Sequence, residues 1–197
     1  MNRELLLFIH QDLSYPWLDY FFAWISQSYY FSIPVIFLTL VFFIYRFGKN
    51  GFRFWLLAVA VIICSDLTGG VIKDITSYPR PCAELKDIVK VPTTFFRVNC
   101  SHNLNGMPSN HALNFFAFSV FTSMILKSRI WIGIFIPLSF LVGLSRIYLG
   151  VHYPIQVLAG TILGVLIGVI MAQIALRYFP FLRELNLQHN KPASHRL

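Results

Sequence analysis

The sequence has few charged residues, since only 12% of its 197 residues are Asp, Glu, Lys or Arg. A soluble domain usually carries about 25%. Because 56% of the residues are hydrophobic, this deficit excludes an ordinary soluble domain and indicates a membrane protein. The net charge is +8, but the basic residues stand at the ends of apolar runs rather than on one polar face, which argues against nucleic acid as a partner.

The sequence also lacks internal repeats, and its length predicts a single domain over residues 1–197. Five apolar runs are near or above the roughly 20 residues that cross a bilayer. These runs cover residues 20–45, 54–72, 108–126, 130–149 and 153–176. Residues 1–19 instead alternate apolar and charged positions at helical spacing, which indicates an amphipathic helix at the membrane interface. The predicted fold class is an all-α membrane protein with about five transmembrane helices.

Positive charge marks one side of this predicted bundle. The two connections on that side and the tail hold nine basic residues, which are Arg46, Lys49, Arg53, Lys127, Arg129, Arg177, Arg183, Lys191 and Arg196. The positive-inside rule places them in the cytoplasm. The opposite side then carries a loop over residues 73–107, which is too long for a structureless connection and is expected to fold as a periplasmic cap. Residues 186–197 are expected to be a flexible cytoplasmic tail.

Cysteine is scarce, with three in the chain. Cys64 lies in the second apolar run, whereas Cys82 and Cys100 lie in the outer loop. An oxidising compartment would let those two pair. Because spacing does not fix connectivity, a disulfide and two free thiols both remain open.

Two segments at the outer ends of the apolar runs combine cationic or hydrogen-bond donor groups. Lys73 and Arg80 stand in the first, and ammonium and guanidinium groups both bind phosphate oxygens. The second, Pro108-Ser-Asn-His111, opens the third predicted span, where unpaired amides and the helix dipole favour an anion. Taken alone, a basic loop and an ordinary helix cap would explain these segments.

The third segment contains Arg146, His152 and Gln156. An arginine near the end of an apolar span is costly and usually functional, although a snorkelling anchor is the alternative. Gln156 lies four residues after His152, so the two side chains share a helical face. Gln156 can accept a hydrogen bond from one imidazole nitrogen and leave the other nucleophilic. Together the three segments supply the groups of a metal-free phosphoryl-transfer site, whereas His10, His102, His189 and His195 are expected at the surface.

In order and spacing, these segments resemble the type 2 phosphatidic acid phosphatase family, which belongs to the acid phosphatase and vanadium haloperoxidase superfamily. The family signature is Lys-x6-Arg-Pro, then Pro-Ser-Gly-His, then Ser-Arg-x5-His-x3-Asp, and the match covers residues 73–156. The resemblance implies that His152 forms a phosphohistidine, that His111 acts as acid and then base, and that no cofactor or metal is needed. The residues implied to bind the phosphate are Lys73, Arg80, Ser109, Asn110 and Arg146.

Two positions depart from the signature. Asn110 replaces a glycine, and its side chain could donate a hydrogen bond to the anion. Gln156 replaces the aspartate that orients the catalytic histidine and stabilises its charge; a glutamine can orient the ring but supplies no charge. If its amide nitrogen faced the imidazole, it would favour the wrong tautomer. The sequence leaves open whether the protein tolerates glutamine, whether another carboxylate such as Asp66 helps, or whether the residue has been altered. For Asp66 itself, a structural hydrogen bond within the bundle is the favoured interpretation.

The resulting prediction is an integral-membrane lipid phosphatase at the periplasmic face of the bacterial inner membrane. Its expected partners are the bilayer and a phosphorylated lipid, with no obligate protein partner. The chain looks most like the bacterial lipid A 1-phosphatases, and undecaprenyl pyrophosphate and phosphatidylglycerol phosphate are alternative substrates. A protein that binds or transports phosphorylated lipid, with weak or no catalysis, is the alternative of a different class.

Overall fold

The structure, a computed structural model, describes residues 2–100 and 104–189, and their side chains up to residue 185. The described part is helical, which confirms the all-α prediction. Its helices are α1 (Asn2–Leu7), α2 (Pro16–Ile25), α3 (Ile33–Thr76), α4 (Pro81–Glu84), α5 (Asn110–Leu126), α6 (Arg129–Tyr148), α7 (Pro154–Tyr178) and α8 (Phe181–His189). Two π-helical turns, Phe8–Asp12 and Ser28–Ser32, follow α1 and precede α3. Of the predicted tail, residues 186–189 continue the backbone of α8, and residues 190–197 lie outside the described part.

Helix α3 is folded back on itself at Gly48, whose φ of 57° and ψ of −134° are not helical. A straight helix would separate residues 36 and 55 by roughly 28 Å. Instead, the indole nitrogen of Trp55 donates a hydrogen bond to the carbonyl of Ile36 at 3.0 Å. A positive φ costs glycine little. Gly48 therefore divides α3 into two antiparallel arms, residues 33–47 and 49–76.

By length and composition, three helical stretches of the described chain could cross a membrane: Ser28–Glu84, α6 and α7. Helix α5 is a shorter apolar helix of 17 residues. Because Ser28–Glu84 contains the hairpin, it supplies two crossings, and α5 brings the bundle to the five predicted helices. The first predicted span began at residue 20, but residues 20–25 belong to α2, which ends before the extended backbone of Gln27.

Helices α5 and α7 pack with their backbones almost in contact. Three glycines of α7, spaced by four residues, make this approach possible, namely Gly160, Gly164 and Gly168. A Cβ added at Gly160 or Gly164 would lie 2.5 Å or 2.4 Å from the carbonyl oxygen of Ser109 or Leu113. Small residues at this spacing are typical of close helix pairs in membranes. The pairing holds the first turns of α5 and α7 side by side.

Two hydrophobic clusters occupy the two opposite ends of the bundle. The first, here called the aromatic cluster, adjoins the Gly48 turn, the α5–α6 connection and α8, and includes Phe43, Phe54, Phe121, Trp131 and Phe135. The second surrounds α1, α2, the outer loop and the α6–α7 connection. The described basic residues assigned to the cytoplasm adjoin the aromatic cluster, and the three motif segments lie at the other end.

The outer loop is folded, as the sequence predicted, and covers the motif end of the bundle. Cys82 and Cys100 form a disulfide, which resolves the pairing that spacing had left open. Beyond α4, the loop buries Val89, which is 2% exposed.

The N-terminal segment also packs against this end, where Leu6 is fully buried. It is two helices and a π-helical turn rather than one helix over residues 1–19. The surface assignment of His10 is wrong, because its Nδ1 bonds to the carbonyl of Tyr148 at 2.7 Å and the residue is 8% exposed. His102 and His195 lie outside the described residues, and the side chain of His189 is not described.

Candidate active site

The turn between α6 and α7 places His152 beside Arg146. Gly150 has a φ of 68°, which reverses the chain so that the carbonyl of Arg146 accepts hydrogen bonds from the amides of Val151 and His152, both at 3.1 Å. Any side chain at Gly150 would also lie 2.3 Å from Val89 of the outer loop. The position therefore suits glycine for both its conformation and its lack of a side chain. The turn holds His152 and Arg146 in a buried position, 2% and 6% exposed.

Gln156 fixes the orientation of the His152 ring. Its Oε1 lies 3.0 Å from Nδ1 of His152 and accepts the amide of Tyr153 at 3.0 Å, while its Nε2 donates to the carbonyl of Pro79 at 2.7 Å. If the side-chain amide were reversed, its NH2 group would face the amide N–H of Tyr153 and its oxygen would face the carbonyl of Pro79. Neither pair could form a hydrogen bond. Because Oε1 can only accept, Nδ1 of His152 carries the proton, and its Nε2 is left unprotonated.

The outer loop secures Gln156 from the other side. The amide of Gly106 donates to the carbonyl of Tyr78 at 2.7 Å, and a Cβ at Gly106 would lie 2.6 Å from Nε2 of Gln156. Gln156 is 0% exposed. Its side-chain amide is therefore held between the start of α7 and the loop.

Burial is the main cause that lowers the pKa of His152 well below its usual value, followed by the nearby guanidinium groups of Arg146 and Arg80. The hydrogen bond to Gln156 acts in the opposite direction. At neutral pH the ring is therefore uncharged, as a nitrogen nucleophile must be.

The start of α5 is tied to the same place, because the amide of Ser109 donates to the carbonyl of Gln156 at 3.0 Å. Ser109 is 0% exposed, and among the described residues neither its Oγ nor Nε of Arg146 has a hydrogen-bond partner. A buried polar group without a partner costs about 1–3 kcal/mol. These two donors, together with the first amides of α5, are suited to bind an anion.

Ser26, in the residue after α2, contacts two of the site residues. Its carbonyl is 3.1 Å from Nε2 of His111, and its hydroxyl accepts a hydrogen bond from the guanidinium of Arg146. Because a carbonyl only accepts, Nε2 of His111 carries a proton, and this is the proton that the ring would donate as a general acid in its imidazolium form. Sequence reasoning missed Ser26, because it lies outside the three motifs in a stretch assigned to the first span.

Lys73 and Arg80 bring the remaining cations to this end. Lys73 lies in the last turn of α3, and Nε of Arg80 donates to Asn105 at 3.1 Å. The positive charges of Arg80 and Arg146 both lie close enough to Lys73 to interact with its ammonium group. His152 is likewise coupled to His111. The three segments therefore meet at one end of the bundle, with both imidazoles near the same cations.

Asn110 departs from what the sequence suggested, because its side chain is turned away from the anion donors. Its Nδ2 donates to the carboxylate of Asp66 at 2.8 Å. Its Oδ1 lies beside Gly69, where a Cβ would be only 2.4 Å away. The side-chain donor to the anion is therefore absent, and only the backbone amide of Asn110 remains at the helix start.

Asp66 forms structural hydrogen bonds within the bundle, as the sequence favoured, rather than acting as a helper of His152. Its Oδ1 accepts hydrogen bonds from Asn110 and Asn114, at 2.8 and 2.9 Å. Its hydrogen bonds thus lie along α5, its charge also interacts with that of Lys73, and the imidazole of His152 is oriented by Gln156 instead.

Comparison with known proteins adds to this geometry. A family model described as "PAP2 superfamily" matches residues 53–179. No curated protein sequence matches the chain significantly. Aquifex aeolicus LpxE has a similar structure, with a TM-score of 0.67 and 25% identity over 87% of this chain and 94% of that one. So has the first transmembrane PAP2 type phosphatidylglycerolphosphate phosphatase from Bacillus subtilis, with a TM-score of 0.66 and 22% identity over 91% of this chain and 88% of that one.

Proposed function

Since the chain belongs to the PAP2 superfamily, we propose that it is a membrane-embedded, metal-independent lipid phosphatase that works through a phosphohistidine on His152. The observation that carries this proposal is the bonding of Gln156. It sets the proton on Nδ1 of His152 and leaves Nε2 free as a nucleophile next to Arg146.

The proposed reaction has two steps. Nε2 of His152 attacks phosphorus, the bond between phosphorus and the lipid oxygen breaks, and His111, as an imidazolium, gives the proton on its Nε2 to that oxygen and becomes a neutral imidazole. In this complex the leaving oxygen replaces the carbonyl of Ser26 as the hydrogen-bond partner of His111. His111 then takes a proton from water, the resulting hydroxide attacks phosphorus, and the bond from phosphorus to His152 breaks to release phosphate.

The phosphate oxygens are proposed to bind the cations and donors around His152. Arg146 and Ser109 are supported by their buried donor atoms without partners. Lys73 and Arg80 are supported by their electrostatic coupling to Arg146. Donors fixed before the reaction stabilise the charge that develops on the transferring group. Gln156 orients the ring of His152 in this site, but it does not supply the negative charge that an aspartate would.

Lipid A carrying a 1-phosphate is the proposed substrate. The likeness to Aquifex aeolicus LpxE supports it, at 25% identity over most of both chains. Phosphatidylglycerol phosphate is the second candidate, since a structure of similar fold is a phosphatidylglycerolphosphate phosphatase. Undecaprenyl pyrophosphate remains the third.

The proposed location is the bacterial inner membrane, with the site facing the periplasm. The disulfide between Cys82 and Cys100 lies in the loop that covers the site, and disulfides persist in oxidising compartments. The described basic residues of the connections and of the segment after α7 lie at the opposite end, as expected for the cytoplasmic side, whereas the outer loop mixes its basic residues with acidic ones such as Glu84 and Asp87.

The test is phosphate release by the protein purified in detergent, with each of the three lipids, in the presence and absence of a metal chelator. We expect release from at least one lipid, unchanged by the chelator and abolished by His152→Ala. His10→Asn is the matched control, because it alters another buried histidine at the same end while keeping a side-chain N–H donor. If wild type releases phosphate from no lipid, binding or transport replaces the enzymatic proposal. Release that stops with the chelator would refute metal independence.

A further inference from the structure

A cavity of about 190 Å³ lies beside the start of α5 and opens between the two arms of α3. Whole-ligand pockets usually measure roughly 300–1,000 Å³, so this cavity suits one part of a substrate. Half of its lining residues are apolar, such as Val35, Ile62 and Phe118. Polar groups are confined to a set contributed by three segments: Ser28, Ser32, Asp66, Asn110, His111 and Asn114.

The position of His111 shows which part of a substrate would occupy the cavity. His111 lines the cavity, whereas His152 does not. In an in-line displacement the nucleophile and the leaving group lie on opposite sides of phosphorus. Because His111 protonates the leaving oxygen in the proposed reaction, the cavity adjoins the alcohol that departs, which is the lipid itself.

Asp66 is the charged group in this cavity lining. It belongs to the second arm of α3, and its side chain is exposed. A carboxylate in a membrane-spanning segment is costly and usually functional. Its Oδ1 accepts the amides of Asn110 and Asn114, and Ser65 in turn donates to Oδ1 of Asn114 at 2.7 Å. These bonds hold the carboxylate in a fixed orientation at the cavity.

The carboxylate of Asp66 also lies near the proposed phosphate site. Asn110, which holds Asp66, is the chain neighbour of both Ser109 and His111. A group that binds Asp66 is therefore separated from the phosphate site by about one side chain. The polar end of the cavity, formed by Asp66, Asn110 and His111, is therefore its part nearest to the phosphate site, where the headgroup unit attached to the phosphate would lie.

We propose that this cavity binds the headgroup unit next to the phosphate, and that Asp66 accepts a hydrogen bond from a hydroxyl or amide N–H of that unit. The inference rests on the proposed function and narrows its substrate class. Glycerol and N-acylated sugar units carry such a donor. A polyprenyl chain and a diacylglycerol carry none next to the phosphate. The protein therefore selects lipids whose phosphate is attached to a donor-bearing unit.

The test compares Asp66→Asn with wild type on phosphatidylglycerol phosphate, which has a glycerol hydroxyl next to the phosphate, and on phosphatidic acid, which has none. A hydrogen bond to a charged group contributes enough that its loss lowers kcat/KM by roughly tenfold or more. We expect the ratio of kcat/KM between the two lipids to fall by about that factor. Asp74→Asn is the matched control, because it removes an exposed carboxylate two turns further along the same arm. It should leave the ratio unchanged.

An equal loss on both lipids would overturn the inference and reduce Asp66 to packing or to its charge interaction with Lys73, while the phosphatase assignment stands. An unchanged ratio would also overturn it. Wild type inactive on every lipid would instead defeat the proposed function.

A second measurement avoids altering the carboxylate and covers the case in which Asp66→Asn does not fold. Ser32→Cys, in a Cys64→Ser background, places a thiol in the cavity wall for labelling by a maleimide. We expect phosphatidylglycerol phosphate to slow the labelling at least several-fold more than phosphatidic acid does. Equal protection by both lipids would contradict the inference.

Discussion

The two ends of the bundle are built from different kinds of contact. At the aromatic cluster, rings pack on one another, with centroids 4.8 Å apart for Phe43 and Phe54 and 4.9 Å apart for Trp131 and Phe135. At the site end, buried positions hold polar groups, which are His10, Ser26, Ser109, Ser145, Arg146, His152 and Gln156. Two donors there have no partner among the described residues. The hydroxyls of Thr122 and Ser123, beside the aromatic cluster, are likewise buried without a partner among the described residues. The site end therefore differs because its unpaired donors lie with Arg146 and His152, where they are available for an anion.

The difference also shows how the site keeps its geometry. Backbone hydrogen bonds from Ser109 to Gln156 and from His152 to Arg146 hold the polar residues in place. The glycines of α7 bring the helix starts together. Changes at the site end should thus affect turnover, and matched changes at the other end should affect stability.

The largest effect on turnover among these comparisons is expected for Arg146→Gln. Removing one preorganised donor to the transferring group costs about 10²–10³-fold in rate, so kcat/KM should fall by that factor. The control is Arg129→Gln, at the opposite end of the same helix, where the side chain is exposed. Steady-state phosphate release measures both. Equal losses in the two variants would mean that the effect is not specific to the site end.

A loss on the order of 10²-fold is expected for Gln156→Leu. The variant leaves the amide of Tyr153 and the carbonyl of Pro79 unpaired and removes the acceptor that orients His152, and each such buried group costs about 1–3 kcal/mol. Gln173→Leu changes an exposed glutamine further along α7 and serves as the control. The loss should appear in kcat; a change confined to KM would contradict the orienting role of Gln156.

The acid limb of the pH profile is expected to lie below pH 6.5. His152 must be neutral to attack, and burial and the two arginines lower its pKa well below that usual value. Protonation therefore removes activity only when the pH falls below the lowered pKa. In Arg146→Gln, the loss of a neighbouring cation should move the limb to higher pH. A limb at or above 6.5 in wild type, measured from kcat/KM, would refute the neutral, buried nucleophile.

The smallest effect on turnover is expected for Phe54→Ala, in the aromatic cluster. Phe54 is 0% exposed, so its truncation should lower the free energy of unfolding by about 3 kcal/mol. Turnover per folded molecule should change by less than about twofold, since additive behaviour is usual for distant sites. Thermal unfolding in detergent and phosphate release report the two quantities. Phe95→Ala, at an exposed position, is the stability control. A large loss of turnover in folded Phe54→Ala would break the division between the ends.

Much of the fold could be predicted from the sequence, because membrane spans are read from the length of apolar runs. The charges between the first two runs marked the Gly48 turn correctly. The close packing of α5 on α7 was missed, although the spacing of Gly160, Gly164 and Gly168 was visible in the sequence. The break between α2 and α3 was missed because the whole stretch carries no formal charge, although the polar residues Ser26, Gln27 and Ser28 stand at the break.

Those parts of the site that belong to the three sequence motifs could be predicted. These motifs indicated which residues meet and that Gln156 could bond to one nitrogen of His152, but that this nitrogen is Nδ1 comes from the structure. The orientation of Asn110 could not be predicted, because Asp66 and Gly69 on another helix determine it. The contacts of Ser26 depend in the same way on how the N-terminal segment packs, which no local pattern encodes.

The central claim is that Nε2 of His152 becomes covalently bound to phosphorus, and the most direct test is isolation of that intermediate. Wild type mixed with lipid phosphate would be quenched in alkali, which preserves phosphohistidine, and its peptides analysed by mass spectrometry. The account predicts one phosphate on the peptide that contains His152, present during turnover and absent from His152→Ala. Rapid turnover with no phosphorylated peptide, or with the phosphate on His111 instead, would contradict it.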